Sequence, residues 1–145
     1  MAATNRKKRA FNNKFLTTAL ITICFFIAFS AIPAGLAFVL KPDGSLLQMD
    51  AGIYKIPLFK DFLLPGFVLA FVIGGGQLLT ALLLMRRSQK RLWGVLISGV
   101  ILIIWIVVQM LLIGFNSWLQ PFIFALGLTE ILITLALLKQ QNQTK

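Results

Sequence analysis

Apolar residues run along this chain in four long blocks, Phe15 to Leu40, Phe62 to Met85, Leu92 to Phe115 and Trp118 to Leu138, with shorter polar stretches between them. Each block reaches the roughly 20 residues that an α-helix needs to cross a hydrocarbon core. The strict alternation of a β-barrel strand is missing, and a helix satisfies its own N–H and C=O groups where no water can. The pattern predicts an all-α membrane protein, a four transmembrane helix antiparallel bundle with spans over 15–40, 62–85, 92–115 and 118–138. A composition of 59% hydrophobic and 12% charged residues, with a mean hydropathy of +0.90, fits that class.

The first block needs a second reading. Arg6, Lys7, Lys8, Arg9 and Lys14 before an apolar run, with Ala28-Phe29-Ser30 as a small-x-small site, also describe a secretory signal. The run continues to Leu40, past the roughly 7 to 15 residues of a signal core, so the segment is expected to stay as helix one.

Charge between the blocks sets orientation. The N-terminal tail (1–14) carries the five cations just named, the second connection carries Arg86, Arg87, Lys90 and Arg91, and Lys139 and Lys145 follow the last block in a short tail (139–145). These regions are expected in the cytoplasm, both termini included. The first connection balances Lys41, Lys55 and Lys60 against Asp43, Asp50 and Asp61, and the third, around Asn116 and Ser117, is uncharged. Both are expected outside, the first as a long extracytoplasmic loop over 41–61. The net charge of +10 is thereby assigned to topology and to anionic lipid at the cytoplasmic face rather than to nucleic acid. "NRKKRAFNNK" has no folded basic domain and few aromatics to stack on bases.

In the long loop, Pro42-Asp43-Gly44 reads as a turn, and Leu46, Leu47, Ile53, Tyr54, Ile56 and Leu58 are expected to cover the outer helix ends as a plug. In "SWLQPF", Ser117 and Gln120 stand at capping-box spacing, and Pro121 falls near the first turn of helix four, where lost backbone bonding costs least. Short connections make helices two, three and four sequential neighbours.

Catalytic chemistry is poorly supplied. The chain has no His and one Cys, Cys24, which excludes an intrachain disulfide, Cys-x-x-Cys redox chemistry, His-containing triads and His-ligated zinc. Asp43, Asp50 and Asp61 with Tyr54 match no catalytic or cation-binding spacing, and turn and cap roles suit Asp43 and Asp61 better. No enzyme, metal or cofactor is expected, and Cys24 is expected to behave as a small buried hydrophobe.

Polar residues inside the spans carry more information. At about 1.5 Å per residue, Thr22, Gln77, Ser98 and Glu130 all fall roughly 9 to 12 Å from the cytoplasmic boundary. Helical spacing sets Gln77 with Ala70, Gly74 and Ala81, and Glu130 with Gly127 and Thr134, on small-residue faces suited to close packing. Gly74-Gly75-Gly76 is expected to admit a second helix closely. An intramembrane cluster of Glu130, Gln77, Thr22 and Ser98 follows as the first candidate site. A charge at the bilayer centre costs about 2.5 to 3.5 kcal/mol or more, and no span holds a cation to pair with Glu130. A neutral acid bonded to Gln77 or a Thr is the cheaper arrangement. A second candidate is an outer-mouth pocket of Trp105, Gln109, Gln120 and Tyr54 under the loop.

Two functions fit. In one, the protein is a non-catalytic membrane component with a structural or accessory role, its polar layer holding helices together while its surfaces bind lipid, another copy in a homo-oligomer, or a membrane-protein partner. In the other, Glu130 serves a small proton- or cation-coupled transporter. The chain resembles the small multidrug exporters in size, helix count and a lone intramembrane acid, but those carry the acid in helix one and have short loops. That difference favours the accessory reading.

From Lys41 to Leu137 a closer likeness appears. Pro42-Asp43-Gly44, Phe59 to Gly66 ("FKDFLLPG"), Ile104 to Gln109 ("IWIVVQ") with Gly114, and Trp118-Leu119-Gln120-Pro121 resemble the pattern of a family of small uncharacterised bacterial four-helix integral membrane proteins. The resemblance implies a multi-pass protein of a bacterial cytoplasmic membrane and brings no catalytic residue with it.

Overall fold

The computed structural model describes residues 2–49, 61–86, 91–115 and 117–142, with side chains between Asn12 and Gln141. Helix α1 spans Ala2–Leu40, α2 Leu63–Met85, α3 Arg91–Ile113 and α4 Leu119–Asn142. All the described regular structure is helical, and the four helices are long and apolar enough to cross a membrane. Large apolar side chains such as Phe29, 73% exposed, and Leu132, 66% exposed, stud the perimeter, as lipid-facing residues would.

Helix α1 starts earlier than the apolar pattern predicts. The basic residues expected as a separate tail continue the helix back to Ala2, because Ala2, Arg6, Lys7, Lys8, Arg9 and Ala10 are good helix formers with no Gly or Pro among them. Its 39 residues rise about 58 Å, well beyond a hydrocarbon core of about 30 Å, so the membrane-compatible part begins near Asn12.

Helix α1 packs on α2 and α4, and α3 packs on α4 and α2. The α1–α2 contact is the closest. Phe38 stacks on Phe62 with ring centroids 4.7 Å apart. Further along, Gly35 lies against Gly66 and Ala70, and Ile32 against Gly74. The buried positions Phe62, Gly66, Ala70 and Gly74 recur every fourth residue, a spacing that stays on one face because Val68–Gly74 forms a wide π-helical turn. After Gly74 the helix tightens, and Gln77, Ala81 and Leu84 continue the same face at α-helical spacing.

The triple glycine is used unevenly. A methyl group on Gly74 would strike Ile32, whereas one on Gly76 would meet nothing within 4 Å. Gly76 instead lines an open groove of about 190 Å³ along the α2–α3 seam, with Leu79, Thr80, Gly94, Ile97 and Ser98.

The connections are built as their polar residues suggest. Gly44 N–H donates to the Lys41 carbonyl at 3.0 Å, and Gly44 takes the left-handed φ of 79° that glycine adopts without strain. The Ser45 N–H (3.0 Å) and hydroxyl (2.7 Å) both donate to the Asp43 carboxylate. Asp61 accepts from the Leu63 N–H at 3.1 Å, and the Phe62 N–H reaches the Pro42 carbonyl at 2.8 Å, tying the start of α2 to the end of α1. Asp43 and Asp61 thus hold the turn and cap roles expected of them. Leu46 and Leu47 depart from expectation: both lie in the short 3-10 turn Ser45–Leu47 and are exposed. Ile53, Tyr54, Ile56 and Leu58 lie outside the described residues.

At the other connection, Gly114 closes α3 with φ 74° and its N–H on the Met110 carbonyl. Ser117 Oγ accepts from the Leu119 N–H at 3.2 Å, a cap two residues on in place of the Gln120 N–H that the capping-box spacing predicts. Gln120 Nε2 donates to the Gly114 carbonyl at 3.2 Å.

Two outcomes test this packing. Gly35→Ala places a methyl against the Ala70 backbone and should cost about 1 to 3 kcal/mol in detergent unfolding, while Gly76→Ala should be neutral or stabilise by up to about 1 kcal/mol. Equal effects would refute the close α1–α2 contact. The Ser45 N–H and hydroxyl hold the exposed Asp43 carboxyl below its usual range. A lowered value means the turn is supported above the ordinary carboxylate range and loosens as pH falls through the lowered one. The Ser45 amide resonance should follow that acid titration, and Asp43→Asn should abolish it.

Candidate functional site

Two apolar clusters divide the bundle interior. Leu20, Ala81, Leu84, Leu92, Val95 and Leu137 pack at the end where α1 enters its apolar stretch and α2 finishes. Ile27, Ala31, Ile73 and Leu102 pack toward the opposite end. Between them lies a polar layer.

Glu130 of α4 stands at its centre, fully buried. The Gln77 amide, 1% exposed, lies with Nε2 3.0 Å from Glu130 Oε2, and the Cys24 thiol lies 3.3 Å from Oε1. Thr134, one turn further along α4, donates its hydroxyl to the Glu130 carbonyl at 2.7 Å. Gly99 of α3 brings bare backbone to the carboxyl: a methyl group there would sit 3.4 Å from Oε2 and 3.1 Å from Ile131. All four helices therefore meet at this acid, three through side chains and the fourth through a glycine.

Of the four residues expected in the layer, Gln77 and Glu130 come together. Ser98 is buried nearby but donates to the Val95 carbonyl at 3.1 Å and faces the α2–α3 groove. Thr22 is a correction. It is exposed on the outer face of α1 and bonds back to the Thr18 carbonyl at 3.0 Å. Two residues on, about 200° around the helix, Cys24 takes the inward place. The Leu20, Cys24, Ile27, Ala31 spacing carries that signal in the sequence, and a thiol is polar enough to meet a carboxyl.

Glu130 lines none of the described cavities, the α2–α3 groove included. A carboxylate flanked by two donors would carry an unpaired charge in hydrocarbon. The same heavy-atom positions serve a neutral acid when the Gln77 amide is turned over. Gln77 Oε1, which otherwise has no partner among the described residues, then accepts the acid proton.

The outer-mouth candidate is partly assembled. Trp105 and Gln109 line a cavity of about 100 Å³ with Phe38, Met49, Phe62 and Leu69. Trp105 Nε1 is buried there without a partner among the described residues, in a space with room for several water molecules. Gln120 does not join it, being turned to Gly114, and Tyr54 lies outside the described residues.

Fold and site together define an all-helical protein with four candidate membrane spans closed around one buried acid. Comparison with protein-family models, curated proteins and solved structures returns no match.

The layer's energetics are testable by a double-mutant cycle. Gln77→Ala and Glu130→Ala should each destabilise the bundle and couple by about 0.6 to 1.7 kcal/mol, whereas Thr22→Ala should change stability little. Infrared spectra at neutral pH should show a protonated-carboxyl band that disappears in Glu130→Gln. A carboxylate band in its place would refute the neutral acid.

Proposed function

We propose that this chain is a non-catalytic integral membrane protein whose role is structural or accessory, exercised by binding lipid, a second copy or a membrane-protein partner. It sits as an antiparallel bundle with N- and C-termini on the cytoplasmic side of a bacterial cytoplasmic membrane. The contact order supports the antiparallel arrangement, since Phe38, Gly35 and Ile32 meet Gly66, Ala70 and Gly74 in opposite chain directions. Orientation is supported by charge, because every cation outside the first connection lies on the side of the N-terminal tail and no Asp or Glu accompanies them there.

One observation carries the functional reading. Glu130 is enclosed, with both carboxyl oxygens engaged and no described cavity reaching it. A coupling acid must meet water or substrate from alternating sides, so intramembrane acids in transporters face a cavity or pathway. An enclosed acid bonded to two neighbouring helices is the hydrogen-bonded glue of a membrane bundle.

Reconstitution tests the reading. Vesicles holding the wild-type protein should show no proton- or cation-coupled flux under an imposed pH gradient, and Glu130→Gln should behave identically. Flux that Glu130→Gln abolishes would establish the transporter instead. In mild detergent the protein should run as a stable homo-oligomer or with a bound partner or lipid; a bare monomer would contradict the accessory role.

A further inference from the structure

The largest described cavity, about 460 Å³, opens where α1, α2 and α3 come together at the basic end of the bundle. Along α1 the polar lining residues Asn13, Lys14 and Thr17 come first, as a rim, and Ile21 lies about two turns beyond Lys14 in the apolar stretch, where it forms a floor with Leu84 of α2; Arg91 of α3 joins the lining.

Three features of that rim call for an anion. Lys14 and Arg91 reach it from different helices, and no Asp or Glu side chain stands near either among the described residues: Asp43 and Asp61 belong to the far connection and Glu130 to the buried layer. Arg91 also opens α3, a 23-residue helix whose first turn contains no acidic residue to complement the positive end of its dipole. Asn13 Oδ1 is buried without a partner among the described residues, and the amide turned over presents a donor in its place. The Thr17 and Thr18 hydroxyl protons are taken by the Asn13 and Lys14 carbonyls at 2.8 and 3.0 Å, so the charge of the rim is set by Lys14 and Arg91.

We propose that this cavity is a binding site for the phosphate of an anionic glycerophospholipid, held by Lys14 and Arg91, with an acyl chain descending over Ile21 and Leu84. A soluble phosphate would satisfy the rim and leave the apolar floor bare. A zwitterionic lipid would bring its own cation to a rim that already has two. The proposal deepens the lipid-binding part of the accessory reading, and it depends on the bundle lying in a membrane, not on the state of Glu130.

The test is native mass spectrometry of the full-length protein in mild detergent, titrated with phosphatidylglycerol, phosphatidylcholine or inorganic phosphate. Phosphatidylglycerol should bind wild type about thirtyfold more tightly than Lys14→Gln/Arg91→Gln, and about fivefold more tightly than either single variant. Lys14→Arg/Arg91→Lys should retain most of the affinity, and Lys139→Gln, which removes one charge on α4 outside the cavity lining, should keep the affinity that either single variant loses. Equal loss in Lys139→Gln would reduce the effect to the general field of the basic end and overturn the site. Equal binding of phosphatidylcholine, or displacement of lipid by inorganic phosphate at comparable concentration, would overturn the assignment to an anionic lipid. Flux through Glu130, which would overturn the accessory reading, would leave this titration unchanged.

Discussion

A carboxyl group in hydrocarbon has to find its partners within the protein, and that requirement organises the centre of this bundle. Glu130 cannot be hydrated where it stands and has no cation in any span, so its oxygens fix the approach of the Gln77 amide and the Cys24 thiol. Lipid gives four apolar helices no strong reason to choose one arrangement over another, because a leucine is as content against an acyl chain as against a neighbour. The polar layer supplies a preferred register, and close glycine contacts turn register into dense packing.

Those contacts are distributed to suit it. Gly35, Gly66 and Gly74 draw α1 and α2 together, and Gly99 with Gly127 does the same for α3 and α4. Where α2 meets α3 the glycines Gly76 and Gly94 are left uncrowded and a groove remains. The bundle is thus two tight pairs joined along looser seams, with Glu130 and its partners crossing between them. The wide turn at Val68–Gly74 belongs to the same design, since it holds every fourth residue of α2 against α1 before Gln77 turns toward the acid.

Much of this was legible in the residues. Apolar blocks located the four helices to within a few positions, except that α1 runs back through basic residues that hydropathy cannot distinguish from a loose tail but helix propensity can. Depth along each helix brought Gln77 level with Glu130, because rise per residue is a fixed quantity. Angle was harder. Thr22 and Cys24 lie at nearly the same depth, and choosing the more polar of them put the wrong face of α1 inward; the stripe of buried neighbours, Leu20 to Ala31, decides it. The π-helical turn, the shifted cap at Ser117 and the exposed Leu46 and Leu47 depend on local backbone geometry that residue type alone does not encode.

The central claim is that the acid layer is sealed from water, and Cys24 reports on it directly because it is the single cysteine and touches Glu130. The measurement is the rate at which a small maleimide labels Cys24 in the folded protein, in lipid vesicles, compared with the same protein unfolded in denaturing detergent. A sealed layer predicts labelling that waits on unfolding. Labelling of the folded bundle at the rate of an exposed thiol would mean that water and solutes reach the acid, and the account of Glu130 as a structural node would fail.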